Sequence, residues 1–84
     1  MPRWEDTLAS LLQGNSDRNI DFDALRNLLR ALGFEERIRG DHHIFVRRGV
    51  VEIINIQPVG AKAMAYQVRQ IRSIVLKYRL GEGK

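Results

Sequence analysis

Phe34-Glu35-Glu36-Arg37-Ile38-Arg39-Gly40-Asp41-His42-His43-Ile44-Phe45-Val46-Arg47-Arg48-Gly49-Val50-Val51-Glu52-Ile53-Ile54-Asn55-Ile56 holds three strand-like runs separated by two turn signals. Residues 34–39 alternate imperfectly and read as a short strand. Residues 42–48 read as a second strand that turns at Arg48-Gly49. Residues 50–56 are the richest in β-branched side chains and form the strongest β segment. Gly40-Asp41 is a tight turn, because glycine tolerates the positive-φ conformations that aspartate can also visit. Two tight turns joining three strands imply an antiparallel meander. Both faces of the third strand are apolar, so pattern alone does not orient it.

Helical segments flank this meander. Trp4, Leu8, Leu11 and Leu12 recur at helical spacing, with Glu5 and Asp6 at the end where a helix dipole favours acids. That helix should stop at Gly14, and Asn15-Ser16-Asp17 reads as a loop. Asp21 is placed as the N-cap of a second helix over residues 22–32, with Ile20 and Leu25 at the spacing of a hydrophobic staple. Leu25, Leu28, Leu29 and Leu32 line one face, and Arg26 and Arg30 line another that reads as solvated. Gly33 supplies the helix stop, with Phe34 folding back onto the last turn. Beyond the meander, Gln57-Pro58-Val59-Gly60 breaks the sheet. Tyr66, Val68, Ile71, Ile74, Val75 and Tyr78 then mark a closing helix over residues 65–79. Arg69 and Arg72 share one of its faces, while Lys77 and Arg79 suit its dipole without any ligand. Gly81-Glu82-Gly83-Lys84 reads as a mobile tail. The order predicts an α+β fold in which helices cover one face of a three-stranded antiparallel sheet.

Eighty-four residues form one domain with a single small core. The absence of cysteine excludes disulfides, thiolate metal sites and cysteine nucleophiles. No apolar run is long enough to span a bilayer, and Met1-Pro2-Arg3-Trp4-Glu5-Asp6 lacks a secretory pattern, so a cytoplasmic protein is expected. Charge is unevenly spread. Residues 1–36 carry four basic and seven acidic side chains, whereas residues 37–84 carry ten basic and three acidic. A basic half suits a polyanion, since Lys and Arg displace counterions from phosphates. The phosphate-binding candidates in that half are Arg39, Arg47, Arg48, Lys62, Arg69 and Arg72.

The only two histidines, His42 and His43, stand at the start of the second strand, beside the turn. General acid–base chemistry needs a group that moves a proton near neutral pH, and imidazole has an unperturbed pKa of ~6.5. A positioned acid or base contributes about a hundred- to ten-thousandfold. Neighbours on a strand point to opposite faces, so the two rings do not readily chelate one metal. No metal or cofactor is expected. The chain has no Gly-rich phosphate loop and no Ser-His-Asp arrangement.

Leu32-Gly33-Phe34, Gly40-Asp41-His42-His43-Ile44-Phe45, the apolar strand and the Arg- and Ile-rich closing helix together resemble the HicA family of toxins from toxin–antitoxin pairs. The likeness covers about residues 20–80. It extends to Asn19-Ile20, to Ile53-Ile54-Asn55-Ile56-Gln57-Pro58 and to Tyr66-Gln67-Val68-Arg69-Gln70-Ile71-Arg72. Residues 1–20 lie outside it as an N-terminal helical extension. The resemblance implies a double-stranded-RNA-binding-domain-like α-β-β-β-α fold. It also implies a metal-independent endoribonuclease, an mRNA interferase, held inactive by a HicB-type antitoxin. The family's essential histidine falls here on His42 or His43, with His42 favoured as the one nearer the turn. Asp41 departs from the small residue usual there. Its carboxylate would steady a protonated imidazole or repel the scissile phosphate.

Three readings follow. In the first, a histidine cleaves mRNA while the arginines bind phosphates. In the second, the same fold binds RNA without cutting it, with steep salt dependence. In the third, the chain is a protein-interaction domain; any toxin partner should be acidic enough to cover the arginines.

Overall fold

Helix α1 (Trp4–Gln13) ends at Gly14 and, after a single 3-10 turn at Asp17–Asn19, is followed by helix α2 (Phe22–Ala31). Three strands come next, β1 (Glu35–Arg39), β2 (His42–Arg47) and β3 (Val50–Ile56), then two very short ones, β4 (Pro58–Val59) and β5 (Lys62–Ala63). Helix α3 (Ala65–Tyr78) closes the chain. These elements come from a computed structural model, which describes residues 3–82. The architecture is α+β, with β1, β2 and β3 forming an antiparallel sheet in chain order.

Gly33 stops α2 with a φ of 96°. Its N–H donates to the Arg30 carbonyl and the Phe34 N–H to the Leu29 carbonyl, both at 3.0 Å. This pair of bonds satisfies the last carbonyls of the helix and drops Phe34 into the core. Arg39 pairs with His42, so Gly40-Asp41 is a two-residue hairpin loop. Gly40 has a φ of 58° and Asp41 has a negative one, which suits a turn whose first central residue must be glycine.

The alternation left open for β3 resolves on burial. Val50, Ile54 and Ile56 point into the core with Phe45, while Val51, Ile53 and Asn55 face outward. Two additional residues of β3 bulge between the Phe45–Ile54 and Arg47–Val50 pairs, and this even number preserves the facing. Leu25, Leu28 and Leu29 of α2 and Val68, Ile71, Ile74 and Val75 of α3 complete the core. Leu11 of α1 is fully buried in the same cluster, with Trp4 and Leu8 packed on it. Residues 1–20 thus include an integral layer of the fold.

Two expectations are corrected. Gln57–Gly60 ends the main sheet, but Pro58–Val59 then pairs with Lys62–Ala63 in a second hairpin. Backbone bonds from Phe22 N to Ala61 O and from Ala63 N to Ile20 O, each 2.9 Å, staple that hairpin to the entrance of α2. Tyr66, placed in the apolar stripe of the closing helix, is 58% exposed, and Gln67 is buried in its stead. Leu80 is buried at the C-terminal end; of the four residues read as the tail, Gly81 and Glu82 are exposed, and Gly83 and Lys84 fall outside the described residues. No helix among the described residues is long and apolar enough to cross a membrane.

Candidate active site

Strand alternation sends the two imidazoles to opposite faces of the sheet. His43 shares the inner face with Phe45 and Ile56. Its Nδ1 lies 2.7 Å from Glu36 Oε2, and its ring meets Phe22 edge-on at a centroid distance of 4.9 Å. Glu36 is itself a hub. Arg26 Nε donates to Oε2 at 2.7 Å and a terminal nitrogen of Arg26 donates to Oε1 at 3.2 Å, with Arg30 at 3.5 Å. Burial pushes the Glu36 carboxyl up, but the hydrogen bonds from Arg26 and His43, with the charges of Arg26 and Arg30, hold it below its ordinary value. An ionised carboxylate only accepts, so His43 Nδ1 carries a proton. Arg26, expected on a solvated face, instead ties α2 to β1 and also binds Asp23 at 3.0 Å. The cleft beside His43 is edged by Asp21, Asp23 and Arg26. Two carboxylates at its mouth, and a third on the ring, disfavour a polyanion there.

His42 stands on the outer face, exposed, directly across the hairpin from exposed Arg39. Its Nδ1 lies 3.2 Å from Asn55 Oδ1 and its Nε2 3.3 Å from Gln57 Nε2. Because Asn55 Oδ1 accepts, Nδ1 holds the proton and Nε2 presents its lone pair, which the Gln57 amide meets. Gln67, 4% exposed, fixes this end of the sheet. Its Nε2 donates to the Asn55 carbonyl at 3.2 Å, and its Oε1 accepts from the Gln57 N–H at 3.3 Å. Tyr66 Oη accepts from Gln67 Nε2 at 3.4 Å. Asn55 and Gln57 thus hold the His42 ring, with Gln67 and Tyr66 behind them; in the sequence Tyr66 reads only as part of the closing helix's apolar stripe, and the other three are not singled out individually. The signal that could have found them is their clustering in the two short motifs at residues 53–58 and 66–72.

The basic candidates do not form one patch. Arg39 is beside His42. Arg47 and Arg48 sit at the far end of β2, about 17 Å away at about 3.3 Å per residue. Arg47 lies over Gly33 and lines a cleft with Trp4 and Tyr78. Arg69 is exposed on α3, as is Lys62 on β5. Arg72 is engaged internally, binding both carboxylate oxygens of Asp17 at 2.8 and 3.0 Å and the Leu11 carbonyl at 3.1 Å. Its hydrogen bond draws the Asp17 carboxyl below the usual range against the opposing effect of burial. Arg72 therefore joins α3 to α1 and the 3-10 turn.

No protein-family model, no curated protein and no solved structure matches this chain.

Proposed function

We propose that the chain is an mRNA-cleaving, metal-independent endoribonuclease of the HicA toxin type, with His42 as its proton-moving group. The observation that carries this reading is the exposed His42 ring, oriented by two amides and paired across the turn with Arg39. The helix–meander–helix order over Phe22–Tyr78 supports a double-stranded-RNA-binding-domain-like fold.

In this mechanism, His42 Nε2 takes the proton of a ribose 2′-hydroxyl once Gln57 yields its place. The 2′-oxygen bonds to phosphorus, the bond from phosphorus to the 5′-oxygen breaks, and that oxygen takes a proton from solvent. Products are a 2′,3′-cyclic phosphate and a free 5′-hydroxyl. Arg39 balances charge on the phosphoryl oxygens, and the displaced Gln57 amide donates a hydrogen bond to one of them. Asn55 orients the ring. His43 supports the strand through Glu36 and takes no proton from substrate. The natural partner is a HicB-type antitoxin whose carboxylates cover Arg39 and the neighbouring Arg37, and the setting is the cytoplasm, where mRNA is met.

Purified protein is expected to cut mRNA in EDTA. His42→Ala should lose about a hundred- to ten-thousandfold in rate, while His43→Gln, if folded by circular dichroism, retains cleavage. Undiminished cutting by His42→Ala refutes the assignment. Tight RNA binding with intact RNA by the unaltered protein supports the non-catalytic module in its place.

A further inference from the structure

An open groove runs between the second hairpin and the start of α3, bounded by Arg18, Val59, Lys62, Met64 and Tyr66. Its volume is about 460 Å³, within the roughly 300–1,000 Å³ of small-ligand sites. Two large side chains are exposed at its surface. Tyr66 is 58% exposed and Val59 57% exposed, and neither covers the hydrophobic core. Arg18 and Lys62 form no ion pair among the described residues, whereas Arg26, Arg72 and Lys77 all do. No carboxylate lines the groove.

We infer that this groove seats an unstacked nucleobase of single-stranded RNA on Tyr66, with the flanking phosphates on Lys62 and Arg18. A nucleotide joins a flat apolar face to an anion, and the groove offers the complement of both: an aromatic and aliphatic floor between two unpaired cations. The inference rests on the ribonuclease reading for the class of ligand, and connectivity supports the link. Tyr66 Oη bonds Gln67, Gln67 bonds the Gln57 backbone, and the Gln57 amide lies 3.3 Å from His42. That chain of bonds runs beneath the surface and holds Tyr66 at a fixed place relative to the His42 ring. A helical duplex hides its base faces, so the groove selects unpaired segments.

The test uses the full chain carrying His42→Ala, so that RNA stays intact, and reads anisotropy of a fluorescein-labelled octa-adenylate. Tyr66→Leu should weaken binding by about 5- to 100-fold, as loss of one base–aromatic stack does, while Tyr66→Phe binds within about twofold of the parent. An abasic strand of the same length should bind equally to both variants. Lys62→Ala and Arg18→Ala should each flatten the salt dependence by about one phosphate contact. Should Tyr66→Leu melt early, Val59→Asp offers the second probe, and it too should lose affinity for octa-adenylate. Unchanged affinity in Tyr66→Leu, equal losses on the abasic strand, or tighter Tyr66-independent binding of a duplex would each overturn the groove. Failure of the nuclease reading is seen separately. If the chain bearing His42 leaves RNA whole while Tyr66-dependent binding persists, the groove stands without cleavage.

Discussion

Removing the Glu36 carboxylate should cost more than any other single change among the charged side chains. Its side chain is only 6% exposed and receives Arg26 at 2.7 Å and His43 at 2.7 Å. Breaking a fully buried ion pair by deleting one partner costs about 3–5 kcal/mol. Two features reduce that here. Arg26 is 22% exposed and keeps its bond to Asp23, and the half-exposed Arg30 pair adds almost nothing. Glu36→Ala should therefore destabilise by about 2–4 kcal/mol. A domain of this length has about 4–12 kcal/mol in all, so the melting temperature should fall by about 10–30 °C. Glu36→Gln, which keeps an acceptor but not the charge, should lose about half as much. The pH arm has a definite sign. With the folded carboxyl held below its ordinary value of 4.5, its contribution is complete above that pH and fades as pH falls through the lower folded value. Urea denaturation of the parent and Glu36→Ala at a series of pH values reads this directly, and the gap between them should narrow in acid. A gap under about 0.5 kcal/mol at neutral pH, or one that widens in acid, would refute the argument.

Further outcomes follow from the same geometry. Gly33→Ala forces a side chain into a φ of 96° and brings the new Cβ to 3.2 Å from Arg47 Nε; a loss of about 1–2 kcal/mol should appear in the denaturation midpoint with an unchanged slope. Gln67→Leu strands the Asn55 carbonyl and the Gln57 N–H, so it should cost about 1–3 kcal/mol and speed hydrogen exchange at Gln57. In Arg72→Met, the Asp17 carboxyl loses its main hydrogen-bond donor, and its NMR titration midpoint should rise toward 3.8.

What the sequence disclosed was local. The stops at Gly14 and Gly33, the turn at Gly40-Asp41 and the three β-rich runs depend on residues within a few positions of one another, and each appears where its residue types place it. The second hairpin was hidden because its stability comes from backbone bonds to Ile20 and Phe22, some forty residues earlier. Tyr66 and Gln67 were exchanged because a three-to-four spacing admits either at the edge of the stripe, and only the carbonyl of Asn55 and the N–H of Gln57 make burial of an amide favourable. The arginines looked like one patch because they are neighbours in the basic half. Arg72 instead finds Asp17, 55 residues away, and Arg47 and Arg48 sit at the opposite end of β2 from His42.

The two-residue loop at Gly40-Asp41 has a bearing on the adjacent rings themselves. Alternation separates them: His43 shares its face with the buried Phe45 and meets Glu36, while His42 meets the solvent. One residue added to that loop, with the strand slipping by a single place, would exchange their stations. The newly outward ring would leave its carboxylate behind, and the newly inward one would have to fit beneath Phe22. Such a slip would also carry Phe45 out of the core, so loop length and the buried ring together hold each imidazole on its face.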